Sequence, residues 1–459
     1  VWDYNPLRLN ASAPRAKNAV YPSMAMSGNT PQFAYVNNSE GYGLALYWNG
    51  TSEIKIYENW DLFTFTSLAL NSDNNRAALY DINVVQQGTD FIGDKGGIMV
   101  NLYYDPPNTT WNGTTYFYRD YNVWLDNLYK TGNLAVLDRY QYPTVKLVGT
   151  SALSHLFYSA YDSIDDRIIF RYFKAGTNQT DVGGGVPANA TTITDTATNL
   201  YVNNTEIVQR NQNNTWPVYT DNATNNRRFN QDNNAGNTNA GQYIGTGTNL
   251  GIYSAVAGVS TGASTARAVL IYYSGTTLYY IYATNDANTA WSAPVSLDTN
   301  CGGAYVSVVV DKDSHVHIAY QDSFNGDVVY IYVPTYSDPA TRKRVVVDSY
   351  LTVGEKLTLT VPSNSNTPYI SYKGVGNTAK VAWYKGTPAV ATLTDGVNSS
   401  GKLNGTWEVQ IIPYRIIDSD TNRFNVGVGT NGLPVIGYCN NVPGAKGLEY
   451  ITALAELAN

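Results

Sequence analysis

The chain has 459 residues, of which 43% are hydrophobic, 13% aromatic and only 14% charged. The net charge of -7 excludes the basic surface that binding to nucleic acid or to an anionic membrane requires. No apolar run of about 18 residues occurs, so the sequence predicts no membrane span. The chain begins at Val1 rather than Met, and we expect a secreted protein whose signal peptide has been removed.

Residues 1–10 (VWDYNPLRLN) form the first predicted strand. They resemble two later segments that each begin with tryptophan, at Trp291 and Trp407, and we predict both of these as outermost strands of a sheet. The apolar positions of the N-terminal strand are Trp2, Tyr4, Leu7 and Leu9. Residues 11–20 are predicted to be a linker.

From residue 21 to residue 459 the sequence repeats a unit of three strands with period-two alternation. The second strand of each unit ends on a tyrosine, and the seven tyrosines are Tyr35, Tyr80, Tyr158, Tyr272, Tyr320, Tyr372 and Tyr438. Repeats made only of strands indicate blades around an axis. The sequence therefore predicts an all-β fold, a seven-bladed β-propeller with four antiparallel strands per blade.

Outermost strands can be assigned to six of the seven units. They are residues 52–57, 134–140, 293–297, 344–347 and 407–412, with a poorly defined one near 201–208. The seventh unit ends without one, so we expect residues 1–10 to complete it. They can do so within their own chain or in a neighbouring copy, since a ten-residue linker reaches about 30 Å.

Three insertions interrupt the repeats, at about residues 81–95, 105–133 and 175–250. The last is rich in Asn, Thr and Gly, which is typical of a flexible loop. A closed propeller is one unit, so we predict no further domain boundary.

Asn-x-Ser/Thr sequons are frequent, and most fall in predicted turns or insertions, where an attached glycan can leave the surface. The candidates are Asn10, Asn37, Asn49, Asn108, Asn112, Asn178, Asn189, Asn203, Asn213, Asn222, Asn398 and Asn404. Their use would imply a secretory pathway that adds N-glycans.

Other chemical signals are weak. His315 and His317 share one face of a strand but lack a third metal ligand, and packing explains them better. Residues 418–422 (DSDTN) begin like a calcium loop without its glycine and distal glutamate.

Cys301 and Cys439 are predicted to emerge on one face, where they either form a disulfide or remain free, buried thiols. The innermost strands hold no pair of carboxylates for glycoside hydrolysis, and the sequence predicts no metal and no cofactor.

Two segments resemble the Asp-box of sialidases, Ser-x-Asp-x-Gly-x-Thr-Trp. Residues 284–291 keep the Asp and Trp, and residues 400–407 keep the Ser, Thr and Trp but have Lys402 at the Asp position. In that family the box is a structural turn, so the resemblance implies the fold and not the activity. The arginine cluster of sialidases is missing.

The repeat pattern and the sequons also resemble propeller subunits of glycan-coated extracellular fibrils from environmental microorganisms. That resemblance implies a non-enzymatic structural glycoprotein whose partners are copies of itself and covalent glycans, with residues 1–10 donated to the neighbour. The alternative is a monomeric carbohydrate-binding propeller, in which aromatics such as Trp48 and Trp383 would stack on sugars.

Overall fold

A computed structural model describes the chain in segments. These are residues 7–8, 14–38, 43–59, 62–70, 76–83, 85–87, 90–92, 95–103, 110–111, 114–115, 120–129, 140–148, 155–162, 167–173, 200–211, 214–221, 226–229, 242–243, 250–262, 265–286, 288, 290–302, 304–362, 365–396, 407–412, 425–440 and 447–452. Strands dominate these residues, and every pairing between them is antiparallel. No helix in the described segments is long and apolar enough to cross a membrane.

The strands, in chain order, are β1 (Leu7–Arg8), β2 (Ala19–Ser27), β3 (Thr30–Asn37), β4 (Gly43–Trp48), β5 (Glu53–Asn59), β6 (Leu62–Leu70), β7 (Arg76–Asn83), β8 (Val85–Gln87), β9 (Asp90–Ile92), β10 (Lys95–Tyr103), β11 (Thr110–Trp111), β12 (Thr114–Thr115), β13 (Asp120–Tyr129), β14 (Tyr140–Val148), β15 (His155–Asp162), β16 (Arg167–Phe173), β17 (Leu200–Asn211), β18 (Asn214–Asp221), β19 (Asn226–Phe229), β20 (Gln242–Tyr243), β21 (Leu250–Gly262), β22 (Thr265–Ser274), β23 (Thr277–Tyr282), β24 (Val295–Asp298), β25 (Ala304–Val310), β26 (Val316–Asp322), β27 (Asp327–Val333), β28 (Lys343–Asp348), β29 (Glu355–Thr360), β30 (Tyr369–Lys373), β31 (Ala379–Tyr384), β32 (Trp407–Ile412), β33 (Asn425–Val428), β34 (Pro434–Asn440) and β35 (Gly447–Thr452). Short 3-10 turns lie at Pro14–Asn18, Pro339–Thr341 and Val375–Asn377.

Among the described strands, seven sheets have four strands and one has three. Numbered along the chain, they are sheet one (β2 to β5), two (β6, β7, β10, β13), three (β14 to β16), four (β17 to β20), five (β21 to β24), six (β25 to β28), seven (β29 to β32) and eight (β33 to β35 with β1). Two small hairpins, β8 with β9 and β11 with β12, branch from sheet two.

The first strands of the eight sheets contact one another in a closed circuit. It runs through β2, β6, β14, β17, β21, β25, β29 and β33 and returns to β2. Sheets that radiate from a ring of first strands are the arrangement of a β-propeller, and closure of the ring leaves only the outermost strands as sheet edges.

Polar side chains tie neighbouring first strands at matching positions. Ser23 Oγ accepts a hydrogen bond from Leu68 N at 2.9 Å, Ser67 Oγ from Val145 N at 3.1 Å, and Ser307 Oγ from Leu359 N at 3.2 Å. Each donor belongs to the sheet that follows the acceptor. These hydroxyls satisfy backbone donors that the sheets' own ladders leave free.

The prediction of seven blades is not confirmed. The predicted insertion at 175–250 contains sheet four, and its first strand β17 lies between β14 and β21. The segment near 201–208 is therefore part of a first strand and not an outermost one. Packing between two first strands outweighs the weak strand propensity of an Asn- and Thr-rich segment.

The outermost strand of sheet two was also placed wrongly. It is β13, which pairs with β10 and lies inside the predicted insertion at 105–133. Residues 134–140 were predicted for that place, yet Tyr140 begins the first strand of sheet three. The predicted insertion at 81–95 includes the β8–β9 hairpin.

The repeated tyrosines are core residues, as their spacing predicts. Of the seven, six are buried: Tyr35, Tyr80, Tyr272, Tyr320, Tyr372 and Tyr438. The side chain of Tyr158 lies outside the described residues.

Candidate assembly site

The N-terminal strand completes sheet eight within its own chain. Leu7 pairs with Tyr450 and Arg8 with Glu449, so the sheet order is β1-β35-β34-β33. Of the predicted strand 1–10, Trp2, Tyr4 and Leu9 lie outside the described residues. In this pairing the N-terminal strand covers an edge of β35 that would otherwise be free.

The strand that receives β1 is mostly buried. Glu449 has no exposed surface, and Asn440 Nδ2 donates to its two carboxylate oxygens at 3.1 and 3.2 Å. A buried carboxylate is stable only with partners, and the register places Arg8 directly opposite it. The Tyr450 ring lies 6.2 Å from that of Phe33 and 5.8 Å from that of Trp48, and burial raises the pKa of its hydroxyl.

Sheets eight and one are tied together without the N-terminal strand. Met24 N donates to Asn425 Oδ1 at 3.3 Å, and Asn425 Nδ2 donates to the carbonyl of Pro22 at 3.0 Å. In the turns above these strands, Asn431 N donates to Asn29 Oδ1 at 2.9 Å. None of these bonds involves residues 1–10, so closure of the ring and closure of sheet eight are separate events.

The predicted linker 11–20 is partly structured. Residues Pro14–Asn18 form a 3-10 turn that contacts β35 and β3, and Ala16 is fully buried. Ala19 already belongs to β2. Only residues 9–13 separate the end of β1 from this turn, which makes the connection much shorter than the sequence suggests.

Buried tyrosines of sheets six and seven reach carboxylates at the end of the preceding sheet. Tyr320 donates to Asp298, the last residue of β24, which also accepts from Arg344 Nε at 2.7 Å. Tyr372 donates to Asp348, the last residue of β28, at 2.7 Å, and Lys380 Nζ lies 2.8 Å from the same oxygen. Burial, and then the charge of Asp348, raise the pKa of Tyr372 far above its ordinary value. The sequence analysis identified the tyrosines but not these carboxylates, although both follow an alternating outermost strand.

The two histidines share one carboxylate and do not present ligands to a cavity. His315 Nδ1 and His317 Nε2 lie 2.8 and 3.0 Å from Asp311 Oδ2, while His317 Nδ1 lies 2.6 Å from the Tyr330 hydroxyl. Burial lowers the pKa of His317. Although burial opposes ionisation of Asp311, hydrogen bonds from His317 and His315 lower its pKa to about 2. In the part of the chain described, no group of three or more His, Cys, Asp or Glu side chains is arranged so that it could hold a metal ion. The calcium-like segment 418–422 lies outside that part.

The cysteines do not form a disulfide. Cys301 and Cys439 are both free and buried, and they pack in separate hydrophobic clusters, so the alternative of buried thiols holds. Burial raises the pKa of Cys301 to about 12 and raises that of Cys439 as well. Neither thiol is a ready nucleophile.

The sequons that the structure describes differ in placement. Asn49 lies in the turn between β4 and β5, and its Oδ1 accepts from Thr51 N and Oγ1 at 3.0 and 2.9 Å. Asn37 ends β3 with its side chain buried, which contradicts the surface position predicted for it. Asn203 lies within β17, in a strand and not in a turn. The other predicted sequon asparagines lie outside the described residues or have no described side chain: Asn10, Asn108, Asn112, Asn178, Asn189, Asn213, Asn222, Asn398 and Asn404.

The tryptophans named as sugar platforms are unsuited to that role where their side chains are described. Trp48 and Trp383 are both buried in the core cluster that spans sheets seven, eight and one. A stacking platform must expose a ring face, so neither can serve as one.

The segment that resembles an Asp-box is a turn held by β22. Asp286 Oδ1 accepts from Arg267 Nε at 2.8 Å, and Asn288 Oδ1 accepts from Ala268 N at 2.7 Å. Asn288 stands at the glycine position of the box and has a φ of 55°. The polar side chains of this segment are therefore used to hold the turn against β22. Lys402, in the second segment, lies outside the described residues.

No family model and no curated protein matches the chain. Solved structures with similar folds include a mutant of NanB sialidase from Streptococcus pneumoniae, with 12% identity and a TM-score of 0.36 over 99% of this chain and 71% of that chain. The Dos1 propeller has 8% identity and a TM-score of 0.43 over 86% and 93%. An alpha-L-arabinanase from Penicillium chrysogenum complexed with arabinobiose has 11% identity and a TM-score of 0.37 over 69% and 94%.

Proposed function

We propose that the chain is a secreted, non-enzymatic structural glycoprotein that polymerises with copies of itself by donating residues 1–10 to sheet eight of a neighbour. The pairing of β1 with β35 supports this proposal more than any other observation. It supplies the fourth strand of one sheet from the opposite end of the chain. The same register is available to the N-terminal strand of a second copy, because that strand is identical.

Exchange of the strand costs little, because the residue pairs that β1 makes within one chain form again between two chains. Only two residue pairs join β1 to β35 in the described residues, whereas the bonds of Asn425 and Asn29 tie sheet eight to sheet one independently. A chain whose N-terminal strand has left therefore keeps its ring. It exposes an edge of β35 that accepts the strand of the next copy.

The non-enzymatic part of the proposal rests on how the reactive groups are used. Asp311 and its two histidines contact one another and Tyr330, and Asp348 binds Tyr372 and Lys380 within the protein. A lectin remains the rival from another class, but the burial of Trp48 and Trp383 gives it no support.

Deletion of residues 1–10 tests the proposal. We expect filaments of the intact protein in negative-stain electron microscopy and monomers of the truncated one by light scattering. The truncated chain should also shorten filaments when it is added in small amounts to the intact protein, because it accepts a strand but donates none. A variant with residues 1–10 in scrambled order is the matched control for length. An intact protein that stays monomeric at every concentration would contradict strand donation.

A further inference from the structure

Four exposed, large hydrophobic side chains lie on neighbouring loops of sheets six and seven. Phe324 is 76% exposed and Leu351 is 57% exposed, and Tyr350, in the loop of Leu351, and Val375 are each 41% exposed. We call these four residues the apolar patch. In the described residues only two other large hydrophobic side chains are exposed to this degree, Val390 and Ile411. Single exposed hydrophobics are normal, but a group of them marks an interaction surface.

Backbone hydrogen bonds join the loops of the apolar patch. Val353 N donates to the carbonyl of Gly326 at 2.9 Å, and Gly354 N donates to the carbonyl of Lys373 at 3.0 Å. Two of the three loops are also held by an aspartate at the end of the preceding strand, because Asp322 Oδ1 accepts from Phe324 N at 3.1 Å and Asp348 Oδ1 accepts from Tyr350 N at 3.0 Å. The patch is thus fixed in position before any partner arrives.

Leu351 holds a strained conformation although its side chain is not packed in the core. Its φ is 60°, in the left-handed region that side chains other than glycine and asparagine rarely adopt. The side chain is more than half exposed to solvent. Packing of the Leu351 side chain in the core therefore does not explain its left-handed backbone.

The apolar patch lies on the rim of the propeller from which the N-terminal strand departs. In a four-stranded meander, the turn between the second and third strands and the connection to the next sheet lie at the same end. The loops 323–326, 349–354 and 374–378 are of these two kinds. Arg8 pairs with Glu449, near the start of β35, so the chain that follows Arg8 leaves at this end as well.

The short connection restricts where a second copy can lie. Residues 9–13 separate Arg8 from the 3-10 turn that begins at Pro14, and six peptide steps span at most about 20 Å. A donor's 3-10 turn, which lies at this end of its own propeller, must therefore stay near the same rim of the acceptor. The two copies must then lie close to each other at these rims.

We propose that the apolar patch is a second contact surface between copies of this chain, which the donated strand brings into register. This inference rests on the proposed strand donation and names the partner of the patch as another subunit. The donated strand supplies the connection between subunits, and the patch supplies the buried apolar area that fixes their orientation.

Substitutions in the patch test it in the full-length protein. We expect Phe324→Ser and Leu351→Asn each to raise the concentration at which filaments form by about tenfold, as for a central interface residue. Leu351→Asn should at the same time leave the melting temperature of the monomer unchanged or raise it, because asparagine tolerates a positive φ. Val390→Ser and Ile411→Ser, which remove exposed hydrophobics outside the patch, are the matched controls and should assemble like the parent.

The experiments distinguish a failure of the patch proposal from a failure of the strand-donation proposal. If the intact protein forms filaments and the patch variants do so at the same concentration as the controls, the patch is not an interface, and strand donation stands. If the patch variants lose binding to a glycan array while assembly is unchanged, the occupant is a sugar, and the inference is overturned. If the intact protein forms no filaments, both proposals fall.

Discussion

Sheets six and eight acquire their outermost strands in different ways. In sheet six, β28 follows β27 along the chain, pairs with it over five residue positions and ends at Asp348, which binds two side chains of sheet seven. In sheet eight, β1 comes from the other end of the chain and pairs through Leu7 and Arg8. The first outermost strand is held by covalent continuity and by buried polar bonds, whereas for the second the described residues show the pairing of Leu7 and Arg8 with β35.

The comparison concerns which bonds would break on removal of each outermost strand. Removal of β28 would break the polar bonds between sheets six and seven. Removal of β1 leaves the bonds of Asn425 to sheet one in place. Under the proposed strand donation, the outermost strand of sheet eight is therefore the one expected to leave one chain and join another.

The largest loss of unfolding free energy is expected in sheet six, where Asp348 at the end of the outermost strand binds two side chains of sheet seven. Asp348→Ala leaves the Lys380 ammonium and the Tyr372 hydroxyl buried without their partner, which costs about 3–5 kcal/mol of unfolding free energy. Asp298→Ala is the matched control, because its cation Arg344 is 34% exposed while Lys380 is 6% exposed. Denaturant unfolding of both variants measures the difference. Equal losses at the two positions would show that burial does not decide the strength of these ties.

A smaller effect is expected where sheets eight and one meet. Asn425→Ala removes two hydrogen bonds, one from Met24 N and one to the carbonyl of Pro22, and should lower the unfolding free energy by about 1–2 kcal/mol. The loss should be the same in the intact protein and in a chain that lacks residues 1–10, because the bonds join residues of the ring itself. If the loss disappears in the shorter chain, closure of the ring depends on the N-terminal strand after all.

The sequence predicted those strands whose apolar pattern is complete within the strand itself. Alternation and the closing tyrosines identified β26, β27 and β30, although the structure buries nearly every residue of these strands, on both faces. The same tyrosines are buried in the structure. The N-terminal strand was predicted from its resemblance to the segments at Trp291 and Trp407, and β1 pairs with β35, the last described strand; the count of seven units that also supported this prediction is not confirmed.

The sequence could not reveal sheet four or the side-chain hydrogen bonds that join neighbouring sheets. Strand β18 holds Pro217 and β17 is broken by a shift in register between Tyr201 and Glu206, so neither shows a clean period of two. The partners of Tyr320 and Tyr372 belong to the preceding sheet, and a pattern within one repeat contains no signal for them. The serines that tie the first strands recur at a fixed position, which a comparison between repeats would have found.

The smallest expected change in unfolding free energy comes from Asp327, at the start of β27 in sheet six, and it depends on pH. Burial, and then the nearby charge of Asp322, raise the pKa of Asp327 from 3.8 to about 6. A carboxyl whose pKa is higher in the folded state binds its proton more tightly there, so its contribution is most favourable below about pH 4 and is lost as the pH rises through 6. Asp327→Asn should therefore stabilise the protein at pH 7.5, by about 1 kcal/mol once solvent screening of this half-buried group is allowed for, and have little effect at pH 4. Unfolding free energies of both proteins at the two pH values measure this. A gain of the same size at pH 4 would mean that changed packing or hydrogen bonding, and not the carboxylate charge, sets the effect.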